Sequence, residues 1–269
     1  MSNIQNPGSA LGEAIGAEME KALNLFLTNL LEKKGYHFLS KSPVRNKDGT
    51  QKKLLMYDKF GTAYNIDAVI ANESMQPIIL VESKYIRYKK HNRDKGSWVC
   101  TAHPALRRRY ASIRSSIAVL AGNWSSSSLA MIKSYDINIF LIPFKRICEL
   151  LAGYDIEFDW AEKDRVTAIK SWDRYTAITD IQGAEIGKEM IDVIKTDLEN
   201  LILSILDDNI KREIDKITVE LHSNLGEVKE YEFSDVEKAV LFLNTTELKR
   251  VFIESDSLTL FDSPPTFDE

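Results

Sequence analysis

Two stretches decide the fold: residues 64–71, YNIDAVIA, and residues 77–86, PIILVESKYI. In the first, Ile66, Ala68 and Ile70 fall on one side and Asn65, Asp67 and Val69 on the other, the period-two signature of a strand. The second enters as an apolar run and ends abruptly in charge, the profile of a central strand whose end opens onto a site. A polar connection, residues 72–76, joins them.

Working outward, Leu11, Ile15, Met19, Ala22, Leu23, Phe26 and Leu30 recur at helical spacing and predict a helix over residues 10–34, stopped near Gly35. Residues 40–53 read as loop, with Asp48-Gly49 as a turn, and residues 54–57 as a weak strand. Downstream, the pattern predicts a helix over 102–115, a strand over 117–121 and a helix over 129–135. A strand over 138–143 and a helix over 145–152 follow. Strands separated by helices imply an α/β core over residues 10–153. Residues 154–254 read as an accessory region, mainly helical to 215. A hairpin (216–222 and 227–233) follows, and then a helix capped by Ser234 with Glu237. Residues 255–269 form an acidic tail.

The 269 residues are 44% hydrophobic, enough to exclude a wholly disordered chain. No apolar run approaches the about 18–20 residues that span a bilayer, so no membrane partner is expected. The first residues lack a basic start and an apolar core, and only Cys100 and Cys148 are present, which excludes a disulfide framework or a four-ligand zinc site. The expected location is the cytoplasm. No glycine-rich phosphate loop is found, and the serines at 125–128 have no paired base and read as loop or helix cap.

The net charge of −5 conceals an asymmetry. From Lys84 to Arg114 there are ten Lys/Arg and one acid, Asp94, a local +9 that leaves −14 for the rest of the chain. The candidate DNA contacts are Arg87, Lys89, Lys90, Arg93, Lys95, Arg107, Arg108, Arg109 and Arg114. The plainer reading is a solvated helix and loop. Tyr85, Tyr88, His91 and Trp98 interleave with these cations, to stack on bases or to pack beneath a long connection. His91 and His103 are not spaced with Cys100 as a metal site and are assigned none.

The chemistry resides in Asp67, Glu82 and Lys84. Alternate residues of a strand share a face, so Glu82 and Lys84 project together, and pairing of the two strands brings Asp67 alongside. Two clustered carboxylates repel unless a cation lies between them, and a hard divalent ion such as Mg²⁺ would serve, with the Ser83 carbonyl as a further oxygen. Lys84 could then orient or help deprotonate a water for attack on a phosphodiester. The competing reading is a cross-strand salt pair with Asp67 at a turn or edge.

Asp67, fourteen residues, then Glu82-Ser83-Lys84 resembles the core of the PD-(D/E)XK nuclease superfamily, the restriction-endonuclease-like fold. Gly16-Ala17-Glu18-Met19-Glu20, in a helix closing on LLEKKGYHF, resembles the first helix of archaeal Holliday-junction resolvases. The resemblance covers about residues 12–145 and has Ile66 where the family often has proline. It implies a core whose central sheet is mixed and flanked by helices, and a Mg²⁺- or Mn²⁺-dependent endodeoxyribonuclease, foremost a type II restriction enzyme. Asp67, Glu82 and Ser83 would hold metal, Lys84 would position water and Glu20 would assist. It further implies double-stranded DNA as substrate and a homodimer. A structure-selective repair or junction nuclease and a non-catalytic DNA-binding module are the alternatives. Residues 257–261, SLTLF, resemble a sliding-clamp docking peptide, with Leu258, Leu260 and Phe261 as its apolar anchors.

Overall fold

A computed structural model describes residues 6–42, 44–88, 92–161 and 163–253, with 259, 262 and 263. Lys89, Lys90, His91 and the clamp-like residues Leu258, Leu260 and Phe261 lie outside the described residues. The chain divides into two compact units at Leu206/Asp207.

The first unit is a five-stranded mixed sheet between helical layers. Its strands are β1 (His37–Leu39), β4 (Ala68–Ala71), β5 (Pro77–Ile86), β6 (Ser115–Gly122) and β7 (Asn138–Pro143), in the order β1-β4-β5-β6-β7. The pairs β1–β4 and β4–β5 are antiparallel, and β5–β6 and β6–β7 are parallel. The apolar run of 77–86 thus occupies the middle of the sheet. Its alternate residues serve opposite layers. Ile79 and Val81 pack with α1 (Pro7–Glu32), α4 (Phe144–Ala152), α5 (Arg165–Thr176), α6 (Asp180–Asp192) and α7 (Lys195–Leu206). Leu80 and Ile86 pack instead against α2 (Asn92–Arg107), and Ile86 shares its cluster with Ile132 of α3 (Ser126–Lys133). Among the described residues no helix is long and apolar enough to cross a membrane.

Four sequence expectations change. Residues 64–71 are two strands: β3 (Ala63–Ile66) pairs with β2 (Leu54–Tyr57) in a separate hairpin, while β4 joins the main sheet. The break falls at Asp67, whose backbone N–H bonds a side chain and not a neighbouring strand. Helix α2 begins ten residues before the expected 102, because a charged opening (Asn92–Lys95) masks its apolar face. The boundary expected at 153 falls at 206, since α5 and α6 pack on α1. In the second unit the hairpin of β8 (Ile217–His222) and β9 (Val228–Phe233) is as expected, with Gly226 at φ 91°. The following helix α8 (Val236–Thr245) is capped by Asp235, not Ser234, through the Lys238 N–H at 2.8 Å. The serine run is a cap as expected, with Ser125 at the start of α3.

Candidate active site

Antiparallel pairing of β4 with β5 stops at Ala68–Val81. Beyond it, β5 keeps its parallel partner β6 but has no backbone partner on the β4 side, and Asp67 turns into that gap. Its Oδ2 accepts from the Ser83 N–H at 3.1 Å and from Lys84 Nζ at 2.7 Å. Lys84 Nζ also donates to Glu82 Oε1 at 2.5 Å, and Glu82 Oε2 accepts from the Asp67 N–H at 3.3 Å. The three side chains expected to converge therefore do so, with the ammonium between two carboxylates. Glu82 is 1% exposed and the Asp67 side chain 34%, so the cluster has a sealed floor and an open mouth.

Burial works against the charge on Lys84, but Glu82 and Asp67 outweigh it and hold the ammonium pKa above the ordinary lysine value. Burial likewise pushes Glu82 up, while neighbouring His103 and Lys84 more than offset it and bring the carboxyl below its usual range.

His103 is the residue that sequence reasoning set aside. It is fully buried on α2, its Nε2 lies 3.8 Å from Glu82 Oε2, and neither ring nitrogen has a hydrogen-bond partner among the described residues. At that separation the contact is electrostatic and not a hydrogen bond. A signal was present, since Val99, Ala102, His103 and Leu106 fall at i, i+3, i+4 and i+7, all on the buried stripe of α2.

The donor set suits a hard oxygen-seeking ion. Mg²⁺ typically takes one or two carboxylates and keeps several waters, and Asp67 and Glu82 supply two. In an extended strand a residue's N–H and C=O point to the same side. The Ser83 N–H faces Asp67, so the Ser83 carbonyl does too. Among the described residues there is no group of three or more His, Cys, Asp or Glu placed to hold a metal. Glu20 is exposed on α1 and makes no hydrogen bond or ion pair among the described residues, so the structure does not tie it to this cluster.

The basic segment also divides. Arg107 and Arg109 donate to the Asp136 and Asp58 carbonyls at 3.4 and 2.6 Å, and Arg114 to the Ile205 carbonyl at 2.9 Å. Each of these is an internal brace. Arg87 is buried, whereas Arg93, Lys95 and Arg108 are exposed. Trp98 lies with its ring 5.8 Å from that of Tyr64, and Tyr85 packs against Gly12 and Gly16 of α1, so both have packing roles.

No family model and no curated protein matches this chain. Among solved structures, a protein of unknown function, AF1548, is similar at 10% identity and a TM-score of 0.32, over 69% of this chain and 98% of its own. That likeness is too slight to bear on fold or function.

Proposed function

We propose that this chain is a Mg²⁺- or Mn²⁺-dependent endonuclease that hydrolyses phosphodiester bonds of double-stranded DNA on a restriction-endonuclease-like fold. By the resemblance of its core it would be a type II restriction enzyme acting as a cytoplasmic homodimer. The observation that carries the reading is the meeting of Asp67, Glu82 and Lys84 at the point where β5 loses its β4 partner. The order of helix, strand, helix and strand after Lys84 supports it as well.

Asp67, Glu82 and the Ser83 carbonyl would hold the ion, which when bound lowers the pKa of a water and draws charge from the scissile phosphate. The chain's own groups have separable tasks. Buried Glu82 is fixed by the Asp67 N–H, and half-open Asp67 meets solvent and substrate. Lys84, held protonated by its neighbours, orients the attacking water and offsets the negative charge growing on the phosphoryl oxygens, and does not act as the base. As the new P–O bond forms, the water's proton leaves to solvent through the open mouth at Asp67, and the departing oxygen takes a proton from solvent as its bond to phosphorus breaks. Of the earlier candidates among the described residues, exposed Arg93 and Arg108 are free to meet the DNA backbone, because they make no hydrogen bond or ion pair there. Among the described residues nothing ties Glu20 to the cluster. Of the two features that favoured a junction-resolving nuclease, Glu20 therefore gains no support, and the clamp-like residues 258, 260 and 261 lie outside the described residues.

Plasmid incubated with the full chain and Mg²⁺ tests the reading. Discrete fragments are expected, with cleavage falling at least 10³-fold in Asp67→Ala and in Lys84→Ala while DNA binding persists. Undiminished cleavage in either variant rejects the assignment.

A further inference from the structure

A cleft of about 240 Å³ opens beside the C-terminal end of β5, between the first turn of α1 and Lys95 of α2. Arg87 is its key group. The residue is 7% exposed, and its guanidinium carbon lies 3.5 Å from the centroid of the Trp160 ring. Its Nη1 donates to the Tyr88 hydroxyl at 2.8 Å and its Nη2 to the Phe158 carbonyl at 3.1 Å, while Nε has no acceptor among the described residues. No carboxylate pairs with it among the described residues. A buried cation without an anion is costly, and burial pulls the guanidinium pKa down. The Tyr85 hydroxyl, on the same lining, also lacks a partner among the described residues.

Two further features make the cleft electropositive, and a third, Gly8, leaves Arg87 unscreened. Lys95 reaches in from α2 with Nζ bonded to the Tyr85 carbonyl at 2.9 Å. The 26-residue helix α1 presents its N-terminal end, where the aligned peptide dipoles leave partial positive charge. The Ser9 N–H there is taken by the Asn6 side chain, so the contribution is one of field and not of a free donor. Gly8 has no side chain to intervene, and a Cβ on it would stand 3.0 Å from Arg87 Nη1. Against these, Glu13 is the one carboxylate on the lining.

We infer that this cleft is a phosphate-binding subsite that takes one phosphate group of a nucleic-acid strand whose neighbouring phosphodiester lies at Asp67, Glu82 and Lys84. The inference rests on the nuclease reading for the identity of the strand. Arg87 follows the end of β5, three residues beyond Lys84 and about 10 Å along an extended chain. Their side chains leave opposite faces, but Lys95, bonded to the Tyr85 carbonyl, lies close enough to Lys84 for the two charges to repel, so one backbone can reach both sites. The cleft is smaller than the about 300–1,000 Å³ of pockets for drug-sized ligands, which suits an anion with its waters and not a stacked base. The phosphate can be a strand's 5′ end or an internal diester.

Calorimetric titration of the full chain with inorganic phosphate tests the subsite apart from cleavage. Wild type and Asp67→Asn are expected to bind alike. Lys95→Gln should weaken binding at least threefold and Arg87→Gln at least tenfold. Should Arg87→Gln fail to fold, Ser9→Asp, which places a carboxylate at the α1 end, should weaken it at least tenfold. Fluorescence anisotropy in the Asp67→Asn background then separates the sources. At least fivefold preference for a 5′-phosphorylated duplex over its 5′-hydroxyl twin, abolished by Lys95→Gln, identifies a terminal phosphate. Equal binding of the two, weakened equally by Lys95→Gln, identifies an internal one. Absence of saturable phosphate binding, or binding unchanged in both Lys95→Gln and Ser9→Asp, overturns the subsite. Phosphate binding without plasmid cleavage would retain the subsite and reject the nuclease.

Discussion

Lys84 sits where two carboxylates would otherwise face each other, and its charge links stability to pH in both directions. Glu82 has a folded pKa below its reference of 4.5, so its contribution is present above that value and is lost as pH falls through the folded pKa. Lys84 has a folded pKa above 10.5, so its contribution is present below that value and is lost as pH rises through the folded pKa. The two together predict a plateau between pH 4.5 and 10.5 in the urea midpoint, with Glu82→Gln removing part of the acid limb. At pH 7 that variant should cost about 3 kcal/mol, toward the lower end of breaking a buried ion pair because Asp67 still serves Lys84. An acid limb identical in wild type and Glu82→Gln would show that the pair does not couple to folding.

At the scale of elements, α6 approaches α1 closely. A Cβ on Gly187 would lie 2.3 Å from the Glu18 carbonyl oxygen, so the two helices would have to separate. At Gly183 the nearest atom is 3.6 Å away and belongs to the flexible Glu18 side chain. Both glycines are helical, and alanine there gains up to about 1 kcal/mol of propensity. Gly187→Ala is therefore expected to lose about 1–3 kcal/mol through overpacking, while Gly183→Ala should be neutral or stabilised. Urea midpoints at an unchanged slope measure both. Equal effects at the two positions would mean that α6 is not seated on α1 at Gly187.

For the whole molecule, the boundary at Leu206 makes a prediction that a boundary at 153 does not. Ile186, Met190, Leu198 and Ile202 are buried in the cluster that also contains Leu11, Ile15 and Met19 of α1. A fragment ending at 206 keeps that layer and should unfold cooperatively by circular dichroism. A fragment ending at 153 exposes the α1 face and should be aggregated or unfolded. Cooperative unfolding of the shorter fragment would return α5–α7 to the status of an appendage.

Much of this was legible in residue order. The apolar entry and charged exit of 77–86 determined a central strand, and the two-residue spacing of Glu82 and Lys84 determined that they share a face, because strand periodicity is a local property. The amphipathic stripe of α1 and the β8–β9 hairpin were legible for the same reason. What tertiary structure alone decided are relations across the chain. Asp67 breaks what reads as one strand because its backbone N–H finds Glu82 fifteen residues on, and His103 meets that carboxylate because α2 lies over the same face of β5. Arg107, Arg109 and Arg114 are spent on distant carbonyls, which charge patterning cannot distinguish from cations facing solvent. Side-chain periodicity fixes which way a residue points, but its partner is set by how the layers stack, and no local pattern encodes that.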